Sequence, residues 1–481
     1  GLKIKLNKYK YLIKNMGLLT LSSFATKLLS FFLVPLYTAI LTTQEYGTYD
    51  VISSTVNFLI PILTINIYEA VLRYAMDKES DPKTVFSIGC KYAIWGNVIV
   101  VILLVFNHIA RLSAILDAYS IFFALLFFVT VFSGIITSMA RGLDRIADIS
   151  ISSVLCSVVM IFLNIFLLCV LKIGIYGYFI ANISGILIQN IYLTVRIKGW
   201  NYITKTREYN SALEKEMIHY SLPTIANAIS WWVNGLADRY VIIFFCGIAS
   251  NGVYSVASKI PSILNIFQNI FSQAWMLSAV REFDAEDKNG FFAQIFNLYN
   301  AMLVIVCSMI ICADKMLAHY LYSNDFYIAW KYVPFLTISI IFGALSGYAG
   351  SIFAALKHSD YFAKCSGAGA ITNIALNLIM TPFIGPLGAA IATAISYWVV
   401  YVVSMWYLKK SIKLTVHILR DNISYLVLMM QGFFLLLIEK EKVFLYGIQL
   451  ICIVIIIVLY YHELKMIVYR IVKKLRGSEN K

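Results

Sequence analysis

The chain has 481 residues, of which 60% are hydrophobic and only 13% are charged, and its formal net charge is +14. Soluble domains usually contain about 25% charged residues, and a water-soluble fold cannot hide this much apolar surface. The composition therefore excludes an ordinary soluble protein and indicates a chain whose surface faces lipid. The 8 cysteines form no CxxC motif, so neither a disulfide framework nor a zinc site is predicted.

Apolar segments of membrane-spanning length follow one another along the whole chain. A helix needs about 20 mostly apolar residues to cross the hydrocarbon layer. The first such stretch runs past Leu33, which is too long for the apolar core of a signal peptide. Fourteen segments qualify, at roughly 16–41, 47–76, 84–107, 113–140, 148–171, 174–197, 217–246, 250–280, 290–313, 327–356, 360–382, 386–408, 415–438 and 443–464. The sequence thus predicts an all-α polytopic membrane protein with about fourteen transmembrane helices.

The polar segments divide the chain into six regions. The longest polar connection follows the sixth span and is predicted to link two six-helix bundles. The predicted regions are a basic cytoplasmic segment (1–15), an N-lobe (16–197), the cytoplasmic linker (198–216), a C-lobe (217–408), two additional spans (409–464) and a basic cytoplasmic tail (465–481).

Lysine and arginine are distributed unevenly between alternate connections. With the N-terminus inside, 28 of the 39 cations fall in cytoplasmic segments and only 6 fall outside. Cytoplasmic segments of membrane proteins carry such an excess. The alternation predicts that both termini are cytoplasmic. The positive charge needs no nucleic-acid partner, since basic segments beside a membrane attract anionic lipid headgroups.

Two short motifs recur at similar spacing along the chain. Gly-x-Tyr-x-x-x-Ser occurs at 47–53 and again, 205 residues later, at 252–258. Gly-x-x-Gly-x-x-x-Ala occurs at 174–181 and, 211 residues later, at 385–392. Transporters are often built from two related halves. The repeats predict two pseudo-symmetric six-helix bundles with two C-terminal helices appended.

Several motifs of the first twelve spans are shared with a known superfamily. They are Asn15, Pro35-Leu36, Leu41-Thr-Thr-Gln-Glu-Tyr-Gly-Thr-Tyr49, Arg73-Tyr74, Asp238-Arg239 and Gly252-Val-Tyr-Ser-Val-Ala-Ser-Lys259. In these features the chain resembles the MOP exporter superfamily. Within it, the chain resembles the polysaccharide-transporter branch, the Wzx-type flippases of O-antigen, capsule and teichoic-acid precursors.

The resemblance implies a function and a location. Such flippases are V-shaped, alternating-access proteins of the bacterial cytoplasmic membrane. They take a polyprenyl-pyrophosphate-linked saccharide into a central cavity from inside and release it outside. The expected partners are this substrate, membrane lipids and the polysaccharide polymerase or ligase machinery, with the protein itself a monomer.

Cations within the spans are the candidate substrate-binding residues. A charge at mid-bilayer costs at least about 2.5–3.5 kcal/mol, and such residues usually face the bundle interior. Arginine and lysine both suit the oxygens of a pyrophosphate. Lys27, Arg239 and Lys259 lie in the first two helices of the two halves, which line the cavity in the family that the chain resembles. Arg73, near the inner end of the second span, is the fourth candidate.

The intramembrane acids leave alternatives open. Glu69 and Arg73 are spaced i,i+4 and could simply pair with each other. Asp50 is a further acid of the second span. Lys91 lies close enough to the cytoplasmic end of its span to extend its ammonium to the interface.

The free energy for transport is expected to come from an ion gradient or from mass action, since no Gly-x-x-x-x-Gly-Lys-Ser/Thr loop for ATP is present. In related peptidoglycan-precursor flippases, an aspartate of the seventh span and polar residues of the eleventh and twelfth form a sodium site. The resemblance implies Asp238, Asn373, Asn377 and Thr393 as a candidate site for Na⁺ or H⁺. The asparagines could instead hold helices together, and Asp238 could neutralise a neighbouring cation. No other metal site and no catalytic residue is predicted.

Two other functions compete with a flippase. A multidrug or organic-cation antiporter of the same superfamily favours an acidic cavity and a carboxylate in its first helix, where this chain has Lys27. A membrane polysaccharide polymerase or glycosyltransferase typically carries a large outside loop, whereas the longest one here, about 314–326, is short. Without a nucleophile–base pair or metal-ligand cluster, the sequence predicts a transporter rather than an enzyme.

Overall fold

A computed structural model describes residues 17, 21, 24, 26, 28, 31–77, 79–203, 210–281, 286–287, 290–356, 359–438 and 441–466. Every regular element within these residues is a helix. The α-helices are α1 (Val34–Ile40), α2 (Thr43–Leu63), α3 (Ile67–Ala75), α4 (Pro82–Ala110), α5 (Ala114–Ala118), α6 (Ser120–Gly142), α7 (Ile146–Asn164), α8 (Gly174–Ile197), α9 (Ser211–Leu236), α10 (Asp238–Cys246), α11 (Ile248–Ala257), α12 (Ser262–Arg281), α13 (Phe291–Leu321), α14 (Val333–Ala355), α15 (Ser359–Ile384), α16 (Pro386–Ser411), α17 (Ile418–Leu437) and α18 (Lys442–Leu459).

Nine helices of the described part of the chain are long and apolar enough to cross a membrane, and the bent pair α2–α3 makes a tenth. A π-helical turn extends α7, so that this span is Ile146–Val170. The predicted all-α, multi-pass membrane class is confirmed. Of the other predicted spans, the first (16–41) lies partly outside the described residues, which include 31–41 but only isolated positions before them. The thirteenth predicted span corresponds to α17, which is not among the nine, and the first turn of this helix carries the charged residues Arg420 and Asp421.

The seventh and eighth predicted spans are each interrupted. The segment 217–246 consists of α9 and α10, which meet at Ala237. The segment 250–280 consists of α11 and α12, separated by Ser258–Pro261. Proline lacks the backbone N–H that a continuous helix needs. At the first break, Asp238 opens a new helix, where a carboxylate interacts favourably with the helix dipole.

By internal contacts the chain forms two compact units. Unit 1 runs to Trp232 and also contains Ile248–Gly252, whereas unit 2 contains Val233–Gly247 and the chain from Val253 onward. The lobe boundary in the linker 198–216 stays a prediction. In unit 1, Asp148 is buried between two arginines and accepts from the Arg196 Nε atom at 2.8 Å.

In unit 1, α2 and α3 meet at an angle of 63°. Pro61, which has no backbone N–H, lies in the last turn of α2, and after this turn Ile65 and Asn66 both have positive φ, at 55° and 51°. Asparagine tolerates this conformation, but a β-branched residue does so only under strain. The Asn66 amide donates to the Thr224 hydroxyl at 2.8 Å, which holds the bend. A cavity of about 370 Å³ lies beside it.

The repeated glycines at 47 and 252 lie against each other in unit 1. A Cβ atom added to Gly47 would lie 2.8 Å from the Gly252 nitrogen and would overlap the Ile248 carbonyl oxygen. A Cβ atom at Gly252 would overlap the Thr43 carbonyl oxygen. The backbones of α2 and α11 thus touch at a crossing that admits no side chain, as small residues allow in membrane helices.

The second repeat also has one structural role at both of its positions. Gly174 and Gly385 both have positive φ, 58° and 63°, where α8 and α16 begin. Glycine adopts this conformation without steric cost. A Cβ atom on Gly388 would lie 2.7 Å from the Met380 carbonyl group. The motif therefore marks a tight turn into a closely packed helix in each unit.

In unit 2, a buried polar network joins α17 to α13 and to the segment after α18. The Arg420 guanidinium binds the Glu463 carboxylate, and it donates to Asp421 at 3.0 Å and to the Asn297 side chain at 2.9 Å. It also lies 4.5 Å from the centroid of the Tyr460 ring. The Arg420 guanidinium therefore has acidic, amide and aromatic partners on several sides.

We expect the Arg420→Ala substitution to destabilise unit 2 strongly, because it leaves the Asp421 and Glu463 carboxylates buried without their cation. Breaking a buried ion pair in this way costs roughly 3–5 kcal/mol. Thermal unfolding of the purified protein measures the change. Lys413→Ala is the control, since its pair with Glu286 is exposed and worth at most about 1 kcal/mol. Equal melting temperatures for the two variants would contradict the importance of the network.

Candidate functional site

The centre of the candidate site is Asp238, the first residue of α10, whose side chain is buried within unit 2. Its Oδ1 atom accepts from the Arg239 guanidinium at 3.2 Å. Its Oδ2 atom accepts from the Tyr254 hydroxyl at 2.5 Å and from the Thr393 hydroxyl at 3.4 Å. A single carboxylate therefore collects a cation and two hydroxyl groups from α10, α11 and α16.

Asn373 and Asn377 continue this arrangement along α15. The Asn373 amide nitrogen lies 3.4 Å from the Thr393 hydroxyl oxygen, and the Asn377 amide donates to the Asn373 side-chain oxygen at 3.0 Å. Both asparagines are buried. The structure thus joins the four residues named as a candidate ion site into one chain of hydrogen bonds: Asp238, Thr393, Asn373 and Asn377.

The donor set suits a hard monovalent cation or a proton. It contains one carboxylate, amide oxygens and hydroxyl oxygens, and the Asn377 Oδ1 atom is buried without a hydrogen-bond partner among the described residues. Oxygen ligands of this kind are those that hard cations prefer. In the described part of the chain, no three His, Cys, Asp or Glu side chains form a group that could hold a metal ion.

Arg239, a candidate substrate-binding residue, also forms an ion pair with Asp238. Its side chain is 10% exposed, and its Nη1 atom donates both to the Gly235 carbonyl at 3.0 Å and to Asp238. A buried guanidinium needs such a partner. Neutralisation of Arg239 is therefore one function of Asp238, as the sequence alternative allowed.

Tyr254 is a site residue that sequence reasoning missed. Its ring is buried and its hydroxyl donates to the Asp238 carboxylate at 2.5 Å. The available signal was the internal repeat, which aligns Tyr254 with Tyr49. The repeat places Tyr254 in a span that corresponds to the second span. It gave no reason to expect that the Tyr254 hydroxyl reaches the carboxylate of Asp238, sixteen residues earlier in the chain.

The other candidate cations are distributed between the units. Lys259 belongs to unit 2, at the break before α12, where it is half-buried. Its ammonium group makes no hydrogen bond or ion pair within the described residues. Arg73 belongs to unit 1 and is exposed on α3. Lys27 lies outside the described residues. Their contact with substrate stays a prediction.

The remaining acids have separate surroundings. Asp50 accepts from the Asn251 amide at 3.2 Å, next to the glycine crossing. Glu69 is half-buried on α3 and forms no ion pair with Arg73 within the described residues. Lys91 pairs with Glu214 at 2.8 Å and remains 43% exposed. The ion pair between Glu69 and Arg73, which their i,i+4 spacing allowed, is thus not formed.

Residues 12–276 match the model of a protein family described as polysaccharide biosynthesis protein. This match covers more than half of the chain and includes the first repeat motif, Arg73, Asp238 and Lys259. No functionally curated protein is significantly similar to the chain in sequence.

Solved structures share the fold over most of the chain. The lipid II flippase MurJ in an inward closed conformation has a TM-score of 0.65 and 15% identity, covering 94% of this chain and 99% of that one. An inward-facing MATE family multidrug resistance transporter has a TM-score of 0.59 and 13% identity, covering 81% and 94%. A transporter from Pyrococcus furiosus, described as having a binding pocket of reversed polarity, has a TM-score of 0.54 and 13% identity, covering 83% and 93%. The fold is that of MOP superfamily transporters.

Proposed function

The chain belongs to the polysaccharide biosynthesis protein family of the MOP superfamily, and from this premise we propose that it is a flippase for a lipid-linked saccharide. It carries a polyprenyl-pyrophosphate-linked precursor of capsule, O-antigen or teichoic acid from the cytoplasmic to the outer leaflet by alternating access. The family match carries this proposal. The fold shared with a lipid II flippase is consistent with it.

The cations within the membrane support an anionic cargo. Lys259 offers a half-buried ammonium group, and Lys27, Arg73 and Arg239 are the other proposed contacts to the diphosphate. Phosphate oxygens bind well to such charge-assisted donors. The same fold also serves multidrug transport in its relatives, so the sign of the intramembrane charge is the feature that distinguishes the cargo. A surplus of cations favours an anion over an organic cation.

Coupling to an ion gradient is assigned to the cluster around Asp238. Asp238, Thr393, Asn373 and Asn377 would hold the sodium ion, whose positive charge compensates a buried carboxylate. Protonation of the same carboxylate is the alternative chemistry. Either the ion or the proton would compete with Arg239 and Tyr254 for the two carboxylate oxygens of Asp238. Ion binding or protonation would therefore change the hydrogen bonds that Asp238 forms with these two side chains.

The proposed setting is a bacterial cytoplasmic membrane, with both termini in the cytoplasm and the chain acting as a monomer. Charge asymmetry between the connections supports this orientation. The product would pass to polymerase or ligase machinery at the outer surface. Appending a cysteine to either terminus, and labelling intact cells with an impermeant maleimide, should leave the cysteine unlabelled until the cells are lysed. Labelling of intact cells above that of the protein without the added cysteine would overturn the orientation.

Reconstitution into vesicles tests the function directly. We expect a fluorescent polyprenyl-diphosphate saccharide to become accessible to an added quencher at a rate that depends on the protein. Lys259→Gln should slow this rate by about tenfold, equivalent to about 1.4 kcal/mol of lost interaction. Lys413→Gln, which removes an exposed cation elsewhere, is the control. Identical rates in empty and protein-containing vesicles would reject the flippase.

Cell-based measurements separate the competing functions. Deletion of the gene should cause one lipid-linked intermediate to accumulate, and its identity names the saccharide. Efflux of cationic dyes should be the same with and without the protein. Purified protein incubated with lipid-linked repeat units should give no polymer. Dye efflux would favour the antiporter, and polymer formation would favour the enzyme.

A further inference from the structure

A basic cavity lies in unit 2 at one end of α13, where the predicted topology places the outer face of the membrane. Its volume is about 720 Å³. It lies between the C-terminal end of α13, the 3₁₀ segment Asn324–Lys331 and the N-terminal end of α18. The lining residues are Lys315, Met316, His319, Tyr320, Tyr327, Trp330, Lys331, Lys442, Leu445 and Tyr446.

The charge of this lining is unusual for its side of the membrane. Lys315, Lys331 and Lys442 are half of the 6 cations assigned to outside connections along the whole chain, and all three face one cavity. The described lining contains no carboxylate. Lys315 and Lys331 come from neighbouring segments and Lys442 from more than a hundred residues further along the chain, and together the three lysines give a local positive potential.

Trp330 holds two of these lysines in place. Its ring is buried, and the Lys315 ammonium lies 4.3 Å from the ring centroid. The Lys331 ammonium lies 5.6 Å from the same centroid. Cation–π contacts of this kind hold an ammonium group over the face of a ring. Trp330 therefore fixes the position of both ammonium groups in the wall of the cavity.

We propose that this cavity is a second binding site, on the outer face, for the phosphate group of a lipid. Lysine binds phosphate as a mobile point charge, and the exposed rings of Tyr320 and Tyr327 offer apolar faces beside it. The volume lies within the 300–1,000 Å³ range typical of small-molecule sites. The placement of the cavity on the outer face rests on the proposed flippase topology. The positive charge and the volume of the cavity are independent of that topology.

Two lipids share this chemistry. One is the diphosphate lipid after it has crossed the membrane, for which the cavity would be an exit site. The other is an anionic phospholipid of the outer leaflet, for which the cavity would be a structural or regulatory site. Both bind through phosphate oxygens, so the comparison of two ligands distinguishes them.

The test is native mass spectrometry of the full-length protein with two probes, an isoprenyl diphosphate and phosphatidylglycerol. The triple variant Lys315→Gln, Lys331→Gln, Lys442→Gln should bind one lipid fewer, or bind the last one at least about tenfold more weakly. The triple Lys→Arg variant, which keeps the charge, should bind normally. Lys442→Gln alone, at an exposed position, provides a milder variant if the triple one does not fold.

Each result has a defined meaning. Loss confined to the diphosphate identifies an exit site, loss confined to phosphatidylglycerol identifies a phospholipid site, and loss of both supports a general lipid-phosphate site. Unchanged binding of both probes overturns the proposal, as does equal loss in the Arg variant. Lipid binding is measured without transport, so its result is independent of the flipping assay. Failure of the proposed flippase function and failure of the proposed lipid-phosphate site are therefore distinguishable.

Discussion

Asp238→Asn should abolish the dependence of flipping on a sodium or proton gradient and slow gradient-driven flipping by at least about tenfold. The substitution keeps the shape of the side chain but removes the charge that would compensate a bound cation and the group that would accept a proton. A tenfold change corresponds to about 1.4 kcal/mol. Flux into vesicles with imposed gradients measures the effect. Stabilisation of the unmutated protein by added sodium, seen as a higher melting temperature, should also disappear.

The neighbouring guanidinium requires a second variant. Asp238→Asn leaves Arg239 buried without its carboxylate, which destabilises the protein independently of any ion. Asp238→Asn combined with Arg239→Gln removes both charges and should restore the melting temperature but not the ion dependence. Tyr254→Phe should retain the ion dependence, because it deletes one donor to Asp238 and leaves the carboxylate. Persistent sodium or proton dependence in both Asp238 variants would show that the coupling site lies elsewhere.

The Gly252→Ala substitution should prevent unit 1 from packing correctly, with severe loss of folded protein. The added Cβ atom would overlap the Thr43 carbonyl oxygen and lie 3.0 Å from the Gly47 nitrogen. These are backbone atoms, so no side-chain rotation relieves the overlap, and the helices must separate. Overpacking costs typically 1–3 kcal/mol and more when the backbone must move. Yield, monodispersity and melting temperature of the purified protein measure the loss.

Gly235→Ala is the matched control. Gly235 is also a helical glycine, but a Cβ atom there has no neighbour within 4 Å. We expect it to be neutral or slightly stabilising, since alanine favours helix more than glycine by about 1 kcal/mol. Gly47→Ala should resemble Gly252→Ala, because it tests the same crossing from the other helix. Normal folding of both crossing variants would mean that the helices separate at little cost.

Much of the fold could be predicted because its main determinant is local. The length of an apolar segment decides whether a helix can span the membrane, and this length is visible in the sequence. The interruption at Ala237 was not predicted: no proline marks it, and a single glycine such as Gly235 is common inside membrane helices. The positive φ at Ile65 is equally hidden, since isoleucine normally avoids that conformation.

The candidate site was predictable only in part. Resemblance to related flippases supplied Asp238, Asn373, Asn377 and Thr393, and their hydrogen-bonded arrangement follows from the packing of α10, α15 and α16. Composition and spacing alone do not bring such distant residues together. The basic outer cavity was missed for the same reason. Its lysines come from three separate segments, and each one alone is an ordinary interfacial cation.

The bend between α2 and α3 has a consequence for the length of this span. The 21 residues of α2 extend about 32 Å and the 9 residues of α3 about 14 Å at 1.5 Å per residue, whereas the hydrocarbon core is about 30 Å thick. The pair is therefore longer than a straight crossing requires, and the 63° bend shortens the distance between its ends, as kinks do in spans of excess length. The side of α3 that carries Ile67, Ala70 and Val71 is buried, and Glu69 and Arg73 lie on its other side.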